Sequence, residues 1–388
     1  MSSETIGPEN FKLAGGGLVG RVSPKSKAGR KLFGFWIGVF AWAPLLILSL
    51  IEGTAFRGSV DFPFIYDPTP YARLIVAIPL MFLAGLIVNN RLASVVKYIW
   101  FSGVLPQDER SSFRDAIDSL GRWRDSITVD IVLLALAYIY AVIIALTVFD
   151  NGHTDWYVSG SGTDIQLSKA GWYFTMISLP IYQYLLMRWL WRVALWWQFL
   201  WRFSRLDLSL LPTHPDRAGG LGILEMGQSG FGVIIIAMSA VMSANVASYI
   251  FHHEAALSQA VPSIVVFTLL SILFITGPLF LFVKKLTSAR LRGLVEYSDL
   301  GDDLFRAFDN KWTGKNDEEQ RKLLGSADPS SLSDYGFSFD VVSGMRVIPF
   351  SKKGILAVAF MALLPFAPLL LIQYSLKEAL RQIMGILG

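Results

Sequence analysis

The feature that most constrains this chain is the recurrence of long apolar runs. A bilayer core takes about 20 mostly apolar residues per helix. Runs of that length occur at 32–51, 71–90, 128–149, 172–191, 230–250, 261–283 and 354–374. Hydrocarbon offers no hydrogen bonds, so continuous runs like these must satisfy their own backbone as helices. Only 16% of the 388 residues are charged, against about 25% in soluble domains. The expected fold is an all-α integral membrane protein of about seven transmembrane helices. The first run is longer than the roughly 7–15 residues of a signal-peptide core and reads as a retained span. The second is the weakest, bounded by Arg73 and by Asn89 and Asn90.

Orientation follows from Lys and Arg, which favour cytoplasmic loops. Of the 34 basic residues, 29 fall in the tail 1–31, the loop 89–127, the stretch 188–217 and the segment 284–353. The alternate loops and the end of the chain hold the other 5. This alternation places the N-terminus in the cytoplasm and the C-terminus outside. The chain then divides into a basic cytoplasmic tail (1–31), spans one to six (32–283), a cytoplasmic helical module (284–353) and a last span with a short outer tail (354–388). Within the module, Asp328-Pro329 reads as a helix start, with Asp as N-cap and Pro in the first turn. Leu332, Tyr335, Phe339 and Val342 form an apolar stripe that needs a partner, for which the overshooting fourth and sixth helices are candidates.

Several local patterns carry candidate chemistry. At the end of the fourth span, Arg188, Trp189, Arg192, Trp196 and Trp197 interleave as a lipid-facing anchor does, with Trp at headgroup level and Arg reaching outward. Thr213, His214, Asp216, Arg217, Gly219 and Gly220 form a compact polar, glycine-rich run. It reads either as a small-ligand site or as a tight turn. Ser239, Ser243 and Asn245 on the fifth span, with Gln373 and Tyr374 on the last, offer an uncharged polar face. Such a face either lines a pathway or lets helices pack closely. His252 and His253, with His153, form a candidate outer metal or pH-sensing cluster.

Other classes are excluded or disfavoured. Without cysteine there is no disulfide, thiolate metal site or Cys nucleophile. The four histidines lie in loops or at helix ends, which does not suit haem, and no cofactor or structural metal is expected. No Walker A or G-x-S-x-G pattern occurs. The small, scattered net charge of +4 does not point to nucleic acid. The spans hold almost no ionisable groups, with Asp130 at an inner end and Glu52 and Arg73 at outer ends. That argues against proton-coupled transport.

The run Thr213-His-Pro-Asp-Arg-Ala-Gly-Gly-Leu-Gly222 resembles a signature of uncharacterised bacterial multi-pass membrane proteins. So does Ser326-Ala-Asp-Pro-Ser-Ser-Leu-Ser-Asp-Tyr335, with Met345-Arg346 and Pro349-Phe350 after it. This resemblance implies a bacterial inner-membrane location and no particular activity. In topology alone the chain resembles insect chemoreceptor channels. The leading functional expectation is a passive, homo-oligomeric channel for ions or small solutes, in contact with anionic lipid headgroups. The alternative is a sensory or scaffold subunit that holds a cytoplasmic protein partner through 284–353. A lipid-acting enzyme centred on the 213–222 run is a third.

Overall fold

A computed structural model of the protein describes residues 11–24, 26–56, 60–149, 155–159, 166–253, 256–312 and 328–373. Among the described residues the architecture is all-α apart from one antiparallel pair of two-residue strands, β1 (Val158–Ser159) and β2 (Gln166–Leu167). The helices are α1 (Gly17–Val22), α2 (Lys27–Ile51), α3 (Pro68–Phe101), α4 (Arg110–Arg124), α5 (Ile127–Phe149) and α6 (169–205). They continue with α7 (Ile223–Ser229), α8 (Gly232–His253), α9 (Val261–Trp312), α10 (Asp328–Ser343) and α11 (Lys352–Leu370). Six helical stretches are long and apolar enough to cross a membrane: α2, α3, α5, α7 with α8, α9 and α11. The remaining expected span, the fourth at 172–191, falls within α6, where Tyr173, Pro180, Tyr182, Gln183 and Tyr184 dilute the apolar character. The weak second run proves to be part of α3, a continuous helix of 34 residues.

Prolines explain where the helices change pitch. A proline lacks the N–H its turn would donate and crowds the preceding carbonyls, so the ladder rearranges locally. α3 is π-helical over Tyr71–Ala77, just before Pro79. α6 is π-helical over Phe174–Ser178, just before Pro180. Pro278 and Pro365 instead sit inside 3-10 turns, Gly277–Phe282 of α9 and Leu364–Phe366 of α11.

Small residues set the closest helix crossings, as they do where lipid supplies no hydrophobic drive. A Cβ on Gly34 would come within 2.7 Å of Phe82 on α3, and one on Gly38 would collide with the Leu74 carbonyl. Gly232 of α8 lies against Met361 of α11.

Contacts sort the connections into two ends. At the strand-pair end, Glu52 accepts from the Lys169 and Ala170 amides, and Trp156 meets Phe62. At the tail end, Ser209 bonds Val104, Lys285 Nζ bonds the Leu206 carbonyl, and residues 11–23 tuck under the bundle. α10 packs antiparallel on the far half of α9: Tyr335 donates to the Tyr297 carbonyl at 2.6 Å, and Val342 meets Gly293. The apolar stripe thus finds its partner on the extension of the sixth expected span.

Residues 11–24 depart from the expectation of a solvated basic tail. Phe11 and Leu13 are buried, with Phe11 against Trp196 and Phe199. Asn89 accepts from the Ala14 amide at 2.6 Å, so a polar residue that weakened the second run is an internal partner.

Candidate functional sites at the two ends

The most ionic region lies at the tail end. Arg188 on α6 and Asp130 on α5 form an ion pair at 3.0 Å, each side chain 1% exposed. Asp130 also accepts from the Tyr184 hydroxyl (3.0 Å) and the Leu18 amide (2.7 Å). Arg188 donates to the Arg124 carbonyl, and Arg124 in turn binds Asp125 and the Lys12 carbonyl. Gly16 and Gly17 both take positive φ, and a Cβ on either would strike this network. The anchor reading is therefore corrected. Arg188, Trp189, Arg192 and Trp196 are buried, and only Trp197 reaches the surface. Trp–Arg interleaving at helical spacing fits a buried cation–π and ion-pair seam as well as a membrane rim. Here the tail and α4 supply acceptors that only the fold brings close.

The run Thr213–Gly222 forms a clasp built on one carboxylate. Asp216 accepts from the amides of Ala218 (2.8 Å), Gly220 (3.2 Å) and Gly222 (2.8 Å). Burial alone would raise its pKa, but these three amides and His214 hold it below the usual value. His214 Nδ1 lies 2.8 Å from Asp216 Oδ1, and a proton there leaves Nε2 to accept from Tyr98 at 3.1 Å. Three residues of the run take positive φ: Arg217 (51°), Gly219 (63°) and Gly220 (92°). Glycine does so without strain at two of them. Gly219 packs against Met345 and Leu286, and Thr213 is half-buried where the turn begins.

Outward from the clasp, Arg217 pairs with Asp340 of α10 at 2.6 Å, and Arg346 donates to the Asp216 carbonyl at 2.9 Å. Glu225 accepts from Ser351, which caps α11 through the Gly354 amide. The run thus holds α10 through Arg217, Glu225 of α7 holds the start of α11, and Asp216 spends both side-chain oxygens inside the run.

On α8, Ser239 is fully buried and donates to the Ala362 carbonyl of α11, and Ser243 is 7% exposed. Both lie buried inside the bundle. Tyr374 lies outside the described residues, as does the side chain of Gln373. Asn245 belongs elsewhere: Arg73 of α3 donates to its Oδ1 at 3.3 Å, at the floor of a cavity of about 210 Å³.

That cavity opens at the strand-pair end. Phe62, Trp156 and Phe174 form walls, and Thr69, Thr175, Ser248, Tyr157 and His252 supply polar groups. Phe62 stacks on His252 with centroids 3.6 Å apart. Asp67 is committed to the fold, accepting from Trp156 Nε1 (3.0 Å) and capping α3 through the Thr69 amide (2.9 Å). Asp155 takes its side-chain partners, Tyr157 and His252, from the cavity itself. Its Oδ1 is buried, 3.6 Å from His252 Nε2. Burial raises its pKa, partly countered by Tyr157 and His252. Sequence reasoning missed Asp155, and only its position three residues before a strand and after an apolar run hinted at it. Of the expected histidine cluster, His252 joins the cavity; His153 and the side chain of His253 lie outside the described residues. Among the described residues no group of three or more His, Cys, Asp or Glu could hold a metal ion. No family model, curated protein or solved structure matches the chain.

Proposed function

We propose that the protein is a seven-span membrane protein, N-terminus in the cytoplasm, that senses a small polar solute at its outer end. Occupancy is relayed to the cytoplasmic α9–α10 module, where a protein partner binds. The bacterial inner membrane is the proposed location, on the likeness of the 213–222 and 326–335 runs. The observation that carries this reading is the outer cavity, which sets the largely buried Asp155 carboxylate beside an imidazole, an amide and four hydroxyls. Two carboxylates there face one guanidinium, so a solute with a cationic or strongly donating group is favoured. α8 supports the relay: it carries Asn245, Ser248 and His252 at the cavity and, through α7, starts at the clasp that grips α10. Ligand screening by thermal shift on the purified chain, with small organic cations and zwitterions, tests the idea. Saturable stabilisation is expected, lost in Asp155→Asn and kept in Ser239→Ala. No saturable response, or one undiminished by Asp155→Asn, refutes it.

A second reading, the passive homo-oligomeric channel, draws on the 3-10 breaks at Pro278 and Pro365 in α9 and α11. Broken helices can expose backbone to a water-filled path where oligomers meet. Solute or ion flux from proteoliposomes supports it, and sealed vesicles under every ionic condition remove it.

A further inference from the structure

A small chamber of about 110 Å³ lies at the tail end under α1, bordered by Gly15, Gly16, Gly20, Arg30, Trp189 and Arg192. Arg192 is 6% exposed and its Nε meets no acceptor. Its guanidinium lies 4.9 Å from the centre of the Trp189 ring, which holds it in place. Charge around it does not balance. Arg124, Arg188 and Arg192 are all at least nine-tenths buried, against one equally buried carboxylate, Asp130, and the half-exposed Asp125. Asp130 is committed to Arg188. A buried guanidinium without an anion is unfavourable, so the chamber lacks one negative group.

The chamber does not end blindly. Val19, Phe82 and Leu185 also line a groove of about 450 Å³ whose walls are almost wholly apolar. Phe33, Ile37 and Phe40 share one face of α2 along it, and α5 and α6 close the other sides. Seven helical residues span about 10 Å, which suits part of an acyl chain. A cationic chamber the size of a phosphate group, opening into a long apolar slot, is complementary to one kind of molecule. We propose that this site holds one phospholipid with an anionic headgroup, its phosphate on Arg192 and Arg30 and an acyl chain in the α2–α5–α6 groove. Residues 14–20 close over the headgroup. The basic segments at this end are those the positive-inside rule assigns to the cytoplasmic leaflet.

The test uses the full chain, purified and delipidated in maltoside detergent. Native mass spectrometry and thermal unfolding are read against dioleoyl-phosphatidylglycerol, dioleoyl-phosphatidylcholine and inorganic phosphate. One phosphatidylglycerol per chain is expected, with phosphatidylcholine much weaker and phosphate alone without effect. Arg192→Leu should weaken retention by roughly tenfold or more, and should unfold no earlier than the parent in lipid-free detergent, since it removes an unpaired buried charge. Ile37→Trp, which fills the groove and leaves every charge in place, should lose the lipid too. Equal retention by Arg192→Leu or Ile37→Trp overturns the proposal. So does stabilisation by inorganic phosphate alone, which marks a free-anion site, or equal binding of phosphatidylcholine.

Discussion

Removing the Asp130 carboxylate should be among the most damaging single changes in the bundle. Asp130→Ala leaves Arg188, 1% exposed, without its 3.0 Å counter-ion. It also takes away the acceptor for the Tyr184 hydroxyl and the Leu18 amide. Breaking one side of a buried ion pair costs about 3–5 kcal/mol, and two further orphaned donors keep the loss at the upper end of that range. Replacing both partners by apolar groups of similar volume is different in kind, because no buried charge remains. Asp130→Leu combined with Arg188→Met should recover to within about 1–2 kcal/mol of the parent. The assay is reversible unfolding by sodium dodecyl sulfate in mixed micelles, followed by tryptophan fluorescence. Trypsin cleavage at Arg21 reports separately on release of residues 11–23, which should accompany Asp130→Ala. A loss under about 1 kcal/mol for Asp130→Ala, or a double variant as unstable as the two singles added together, would refute the reasoning.

The clasp offers two sharper tests. Asp216→Ala strips the acceptor from three amides and should destabilise the 218–222 turn by about 2–4 kcal/mol, reduced from the sum of three bonds because the site is partly exposed; amide exchange at 218–222 reads it. Its pKa is depressed in the fold, so its contribution is present above the ordinary carboxylate value of 3.8 and is lost as pH falls through the lower folded value. Gly220→Ala forces a side chain into φ 92°, with its Cβ 2.6 Å from Val104; a loss of about 2–4 kcal/mol is expected, partly rescued by Val104→Ala. Asp155 shifts the other way. Its raised pKa means stability falls as pH climbs from 3.8 through the folded value, so Asp155→Asn should be the more stable protein at neutral pH. A pH-stability profile identical to the parent's would count against burial as the cause.

The helices were legible because length and hydropathy act locally. α2, α3, α5, α8, α9 and α11 each announce themselves by a run that only a helix can bury, and Asp328-Pro329 marks a start through backbone chemistry alone. The proline breaks at Pro278 and Pro365 were equally local, and the π-turn before Pro180 was overlooked because aromatic residues hide it. What failed was everything decided by distant partners. Arg188 looks the same in sequence whether it reaches a headgroup or Asp130, 58 positions earlier. Residues 11–23, glycine-rich and basic, carry no sign that Asn89 and Asp130 will receive their amides. Asp216 read correctly as a turn former, yet its link through Arg217 to Asp340 spans 123 positions. Ser239 and Asn245 sit on one helix, but one is consumed by packing and the other meets Arg73.

The docked segment 11–23 also imposes an order on biogenesis. Its partners are Asn89, Asp130 and Arg188, so this segment has nowhere to seat until α6, made well after it, is complete. At about 5–20 residues per second that delay is roughly 10–40 s. Through that interval Phe11 and Leu13 stay outside the protein while the first spans insert. Anything that holds those residues during translation, such as a chaperone or a bulky amino-terminal fusion, would arrest assembly at its last step and leave every span in place around an open base.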